Sequence, residues 1–93
     1  MFLHVGSDVM ICMSDIIAIF DLENTTVSRI TREFLTVSEE EEFIVNVSEE
    51  DLPRSFILTE VKGMSRIYIS PISSATLNKR FNSYIESGMV NEI

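Results

Sequence analysis

The chain has 93 residues, of which 45% are hydrophobic and 24% are charged, and its formal net charge is −8. This composition favours a globular protein over a disordered one, and the length predicts one small domain, residues 1–93. No apolar run reaches the length of a membrane-spanning helix. The first residues lack a positively charged stretch and soon reach Asp8, which argues against a signal peptide. The single cysteine, Cys12, predicts a cytoplasmic protein without an internal disulfide.

Three short apolar segments at the start of the chain predict three β-strands, over residues 2–5, 9–13 and 16–22. The turn signal at residues 6–8 predicts that the first two form a hairpin. Their near-continuous apolarity predicts burial on both faces, either by helices or by another subunit. Oligomerisation is one common way for so short a chain to gain stability.

Residues 25–38 are predicted to form a helix. Polar residues that can cap a helix, at positions 24–26, precede an apolar stripe with helical spacing. This stripe consists of Val27, Ile30, Phe34 and Leu35. Four consecutive acids follow, Glu39 to Glu42. A solvated surface is the favoured interpretation and a metal site the alternative, because these carboxylates are not spaced like a calcium-binding loop.

Three further strands are predicted over residues 43–47, 55–60 and 66–70. Residues 48–53 form a polar loop between the first two, and residues 62–63 form a turn between the last two. Because the three strands follow one another with short connections, we expect them to form a meander.

A second helix is predicted after Pro71, which should end the last strand because proline cannot donate to a strand ladder. Ser73 or Ser74 can cap this helix. With Ser73 as the cap, Ile72 and Leu77 have the spacing of a hydrophobic staple. The apolar stripe of this helix consists of Leu77, Phe81, Tyr84 and Ile85.

These elements predict an α+β fold, with a small, mostly antiparallel sheet and two helices in a single domain. Gly88 is a candidate stop for the last helix. Residues 89–93 are expected to be a short, loosely ordered tail.

Catalytic and metal-binding patterns are nearly absent from the sequence. One histidine and one cysteine cannot form a His-based or thiolate metal cluster, and the three glycines are isolated. His4 is interpreted as a packed or partly exposed strand residue, with a pH-sensitive role as the alternative. Ser73 and Ser74 are interpreted as caps rather than nucleophiles. We therefore expect no enzyme activity, no cofactor, no metal and no small-molecule substrate.

Charge is distributed unevenly along the chain. Residues 1–52 contain twelve acids and two bases, a net charge of −10, whereas residues 53–85 contain five bases and one acid, a net charge of +4. The five bases are Arg54, Lys62, Arg66, Lys79 and Arg80. Strand ends, a hairpin tip and a helix flank can converge on one edge of a small domain, so these five are candidate nucleic-acid-binding residues. The alternative is solvated charge, scattered over the surface and paired with the acidic half.

Six segments carry a resemblance to a known family. They are residues 3–6 (LHVG), 15–22 (DIIAIFDL), 25–26 (TT), 30–34 (ITREF), 53–60 (PRSFILTE) and 68–77 (YISPISSATL). Through them the sequence resembles the small bacterial RemA/RemB-type regulators of extracellular-matrix genes, and it is most similar to the RemB branch. The resemblance covers residues 2–81. It implies a regulator of biofilm-matrix transcription in the bacterial cytoplasm, and for RemA-like members a DNA-binding protein that assembles into a ring-like homo-oligomer.

The sequence departs from the RemA pattern at two positions that the resemblance links to DNA. RemA-like proteins carry a basic residue where this chain has Asp15. They also carry consecutive arginines in the loop where this chain has residues 48–51 (SEED). Arg54 is the one basic residue that matches nearby. Reversed charge in a phosphate-contacting loop should repel DNA.

Two functional hypotheses follow. The first is a transcriptional regulator of matrix genes that binds promoter DNA through the basic edge over residues 53–80 of a homo-oligomer. The second is an oligomeric protein-interaction module that acts on the same genes without touching DNA. In the second hypothesis the acidic loop at residues 48–51 meets a basic partner, such as another regulator protein. Neither hypothesis involves a membrane.

Overall fold

A computed structural model describes residues 1–22 and 43–86 of the chain. These residues form strands and one α-helix, which confirms the predicted α+β class. The elements are β1 (Phe2–Gly6), β2 (Val9–Cys12), a 3₁₀ turn (Met13–Asp15), β3 (Ile16–Asp21), β4 (Ile44–Asn46), β5 (Ser55–Val61), β6 (Met64–Ser70) and α1 (Ser74–Glu86). The predicted helix over residues 25–38, the acids at 39–42 and the tail at 89–93 lie outside the described residues.

The strands form two sheets. β1 and β2 pair as an antiparallel hairpin, as predicted, and the other four strands form a sheet in the order β3-β5-β6-β4. β4 runs parallel to β6, with Ile44 opposite Ile67. The predicted meander is therefore wrong. Both edges of β5 are occupied, one by β3 and one by β6, so β4 has no edge of β5 to pair with and takes the outer edge of β6 instead.

The hairpin turns rest on residues with left-handed backbone conformations. Gly6 has φ +123°, and a Cβ placed there would lie 3.1 Å from Pro71 Cδ and 3.1 Å from Val47 Cγ1. Glycine at this position therefore lets β1 approach the end of β6 closely. In the β5–β6 turn, Lys62 has φ 53° and Gly63 has φ 80°. Positive φ at both central residues is typical of the tight type I′ hairpin turn.

The core lies between one face of the four-stranded sheet, the β1–β2 hairpin and α1. It consists of Leu3, Val5, Ile11, Met13, Val47, Ile57 and Leu77, with Tyr68 and Phe81 among the partly buried residues packed against it. Within a single chain, β1 buries only the face that carries Leu3 and Val5 into this core. The outer face of the hairpin leaves Phe2 54% exposed and Met10 53% exposed. The predicted burial on both faces is thus not met within one chain, and the outer apolar side chains remain accessible.

Two buried serines hold the corner between β6 and α1. Ser70 Oγ donates to Val5 O at 2.6 Å and accepts from Ile72 N–H at 3.0 Å. Ser55 Oγ donates to Ile72 O at 2.7 Å. Both backbone groups of Ile72 are therefore satisfied by side chains that are themselves fully buried. This fixes the direction in which the chain enters α1.

Ser73, rather than Ser74, caps α1. Its Oγ accepts from Thr76 N–H at 3.2 Å, and its carbonyl accepts from Leu77 N–H at 3.0 Å. Leu77 is fully buried and Ile72 packs against the same core, as the predicted staple requires. Cap, corner and buried Leu77 together set the rotation of α1, and so determine which of its side chains face outwards.

Candidate nucleic-acid interface

α1 carries an open groove lined by hydroxyl groups and two cations. The groove has a volume of about 330 Å³ and is lined by Thr76, Lys79, Arg80, Ser83 and Tyr84. The first four follow one another at steps of three, one and three positions, so they lie along one side of a helix. Leu77 points into the core from another side of α1, which leaves Lys79 and Arg80 exposed.

The electrostatics of α1 favour an anion in this groove. The helix contains Lys79 and Arg80, and its first carboxylate along the chain is Glu86, at its last residue. Lys79 is exposed on the surface of α1, so its charge can face a ligand. Hydroxyls and cations side by side match the donor set that proteins present to phosphate oxygens.

Arg80 is oriented by the strand next to it. Its Nη1 donates to His4 O at 3.2 Å. A guanidinium has five N–H donors, so this bond fixes the side chain and leaves donors for a ligand. His4 Nε2 donates in turn to Ser7 O at 2.6 Å, which ties the histidine into the β1–β2 turn. His4 is thus an exposed strand residue engaged in a local bond, in agreement with its interpretation from the sequence.

Lys62 and Arg66 lie in a separate groove at the tip of the β5–β6 hairpin. This groove has a volume of about 270 Å³ and is lined mainly by Val61, Lys62, Met64, Arg66 and Tyr68. A left-handed conformation costs a non-glycine residue about 1 kcal/mol, and Lys62 adopts one at the tip. The turn position therefore carries a charge where asparagine or glycine would be more stable.

Arg54 lies at the opposite end of β5. Its N–H donates to Ser70 O at 2.9 Å and its carbonyl accepts from Leu22 N–H at 3.0 Å, so it extends the ladder on both sides of β5. Lys62 follows it by eight positions, which corresponds to roughly 27 Å along an extended strand.

The structure therefore brings the five predicted bases together as two pairs and one separate residue. Lys79 joins Arg80, Lys62 joins Arg66, and Arg54 stands apart. They do not form the single edge that was expected from strand ends, hairpin tip and helix flank. Sequence reasoning did not single out Thr76, Ser83 and Tyr84 as partners of the α1 cations, although their helical spacing from Lys79 and Arg80 carries that signal.

Two other classes of site are missing from the described part of the chain. No group of three or more His, Cys, Asp or Glu side chains is arranged to hold a metal ion there, and no helix there is long and apolar enough to cross a membrane.

Cys12 is half-buried, and its Sγ lies 3.2 Å from Ser14 Oγ. Hydrogen bonds from Ser14 lower the pKa of the Cys12 thiol.

Comparison with known proteins places these features in a family. The model of the family described as RemA-like, "Extracellular matrix regulatory protein A-like", matches residues 2–81, which include both cation pairs and Arg54. The chain belongs to the RemA-like family. It is also 36% identical over 80 residues to "Extracellular matrix regulatory protein B" of Bacillus subtilis (strain 168), a match that covers 86% of this chain and 89% of that protein. The resemblance to the RemB branch is thus confirmed.

This RemA-like chain holds its acidic loop in a defined conformation. Ser48 Oγ donates to Asp51 Oδ2 at 2.7 Å, and Ser48 N–H donates to Asn46 Oδ1 at 3.3 Å. The loop runs from Val47, which bonds to the end of β6 through Ile69 O, towards β5. The carboxylates that stand where the resemblance implies arginines therefore lie at the Arg54 end of the sheet, away from the β5–β6 tip.

Proposed function

We propose that this protein regulates the transcription of bacterial extracellular-matrix genes, and hence biofilm formation, by binding promoter DNA in the cytoplasm. Membership of the RemA-like family and the name of the B. subtilis relative support the matrix-regulatory role. The observation that carries the DNA contact is the α1 groove, in which Lys79 and Arg80 stand beside three hydroxyl groups.

The α1 groove suits contacts to the DNA backbone better than contacts to bases. A short row of cations and hydroxyls on an exposed helix can hold phosphates and so fix the orientation of a protein on a duplex. With a net charge of −8, the chain as a whole repels DNA, so binding has to be local. A single groove with two cations is a weak site by this reasoning.

A ring-like homo-oligomer would overcome this weakness and belongs to the proposal. Each added copy presents another α1 groove to the same duplex, so that successive contacts become intramolecular and avidity replaces single-site affinity. Lys62, Arg66 and Arg54 are assigned a lesser part in DNA binding. Lys62 and Arg66 lie in another groove, and Arg54 stands at the acidic end of the sheet.

The test is DNA binding by the purified protein to a matrix-gene promoter fragment and to an unrelated fragment of equal length. We expect binding that favours the promoter and weakens as salt increases, because phosphate contacts release counterions. If the folded protein binds neither fragment at about 50 mM salt, where electrostatic binding is strong, direct regulation is refuted.

The second candidate function is a protein-interaction module in the same regulation that does not touch DNA. The observation that favours it is the ordered acidic loop, together with Leu52, which is 84% exposed. A second, basic regulator protein would be its partner. Failure of DNA binding in the test above, combined with capture of such a regulator by the wild type but not by a Glu49→Lys, Glu50→Lys variant, would favour this function.

A further inference from the structure

The tip of the β5–β6 hairpin combines apolar side chains and cations on one face. Val61 pairs with Met64 and Thr59 pairs with Arg66, so the side chains of Val61, Met64 and Arg66 lie on the same face of the hairpin. Val61 is 46% exposed and Met64 is 73% exposed, so two adjacent aliphatic side chains face solvent. Lys62 and Arg66, both exposed, line the same groove of about 270 Å³.

The carboxylate of the hairpin tip lies on the other face. Glu60 pairs with Ser65, one position away from the pair of Val61 and Met64, so its side chain points to the opposite side of the hairpin. Among the described residues that line the groove, none is acidic. This face is therefore locally basic, although the whole chain has a net charge of −8. A complementary ligand carries acidic groups.

The tip is an ordered and accessible part of the sheet. Thr59 is buried, and its Oγ1 donates to Arg66 O at 2.9 Å, which joins the two strands at the inner end of the groove. β3 pairs with β5 as far as Thr59, and β4 pairs with β6 from Ile67 onwards, so the tip projects beyond the described neighbouring strands. Lys62 holds φ 53° at the turn, and such unfavourable conformations cluster at functional sites.

An apolar floor beside two cations fits an acidic protein segment better than DNA. The backbone of a duplex offers phosphates and sugars, which call for hydrogen-bond donors rather than aliphatic side chains. Val61 and Met64 would gain nothing from such a contact. A protein segment with an aliphatic side chain between carboxylates can bury that side chain on both residues while its charges meet the cations.

We propose that the β5–β6 tip is a docking site for an acidic segment of a different protein, in which an aliphatic side chain lies between carboxylates. The aliphatic group packs on Val61 and Met64, and the carboxylates pair with Lys62 and Arg66. Exposed ion pairs contribute little by themselves, so the apolar contact supplies most of the affinity and the charges set the orientation. This site is separate from the α1 groove, and it is present whether or not the protein binds DNA.

Fluorescence anisotropy with a designed probe tests the docking site. The probe is a labelled peptide with leucine at its centre, two acids on each side and a serine at each end. We expect it to bind the wild-type protein with a Kd below about 1 mM and to dissociate as salt increases. Replacing its leucine with serine, or its acids with amides, should each weaken binding at least about tenfold, because each change removes one of the two recognised features.

Variants of the protein locate the binding. Met64→Ser removes much of the apolar floor, and Arg66→Gln removes one cation. Both residues are exposed, so we expect each variant to fold, as circular dichroism can verify. Met64→Ser should weaken probe binding at least about tenfold, and Arg66→Gln should make it less sensitive to salt. Met10→Ser is the matched control, because Met10 is 53% exposed but lies on β2, and it should bind the probe like the wild type.

The proposal is overturned if the wild type does not bind the probe at about 1 mM, where even weak docking is populated. It is also overturned if Met64→Ser binds like the wild type. Displacement of the probe by a promoter fragment would assign the tip to DNA instead. Break-up of an assembled wild type by the probe, seen by sedimentation velocity, would assign it to a contact between copies. Binding that appears only after Glu39–Glu42 are replaced with glutamine would assign it to the chain's own acids.

Discussion

Replacing Ser70 with alanine should destabilise the corner on which α1 depends. The hydroxyl of Ser70 donates to Val5 O and accepts from Ile72 N–H, and the residue is fully buried. Ser70→Ala leaves both backbone groups without that partner, the Val5 carbonyl in a buried position and the Ile72 N–H in a part-buried one. A buried polar group that loses its partner costs about 1–3 kcal/mol. Because two groups are affected, we expect the free energy of unfolding to fall by about 2–4 kcal/mol.

The assay is urea unfolding followed by circular dichroism, with all variants at one protein concentration because self-association contributes to apparent stability. Ser55→Ala removes one hydrogen bond, to Ile72 O, and should cost about half as much as Ser70→Ala. Ser65→Ala is the matched control, because Ser65 is an exposed residue of the same strand. A loss below about 0.5 kcal/mol for Ser70→Ala, the range of ordinary surface substitutions, would refute the reasoning.

Two further stability predictions follow from the turns and the cap. Gly6→Ala should destabilise more than Gly63→Ala, because both substitutions strain a positive φ but only the first also meets neighbouring atoms at 3.1 Å. Equal losses in urea unfolding would show that the close approach at Gly6 is unimportant. Ser73→Ala should cost about 1 kcal/mol because it removes the helix cap, whereas Ser74→Ala, one residue further on, should cost little. The reverse order would show that the cap has been misassigned.

Local features of the fold could be predicted from the sequence. The β1–β2 hairpin, the β5–β6 turn at residues 62–63 and the start of α1 were all predicted, because each depends on neighbouring residues. The capping choice between Ser73 and Ser74 required the structure, since both have the right chemistry. The parallel pairing of β4 with β6 could not be predicted, because the alternation of a three-residue strand does not say which edge it will take.

The two cations of the candidate site were singled out from the sequence, but its hydroxyl groups and its arrangement were not. Lys62 and Arg66 were recognised as basic, yet their separation from Arg54 depends on β5 running from one end of the sheet to the other. The rotation of α1, which aligns Thr76 and Ser83 with the two cations, is set by buried Leu77 and the Ser55–Ser70 corner. That corner joins residues distant in sequence, so no local pattern reveals it.

The measurement that tests the central claim most directly is the salt dependence of promoter binding by Lys79→Ala beside the wild type. Asn82→Ala is the control, because Asn82 is exposed on α1 but does not line the groove. If the α1 groove holds phosphates, Lys79→Ala weakens binding and makes the slope of log K against log salt shallower by about 0.9 for each phosphate that an engaged subunit no longer neutralises. The control should keep the wild-type slope. An unchanged slope for Lys79→Ala, with promoter binding intact, would contradict the assignment of DNA binding to the α1 groove.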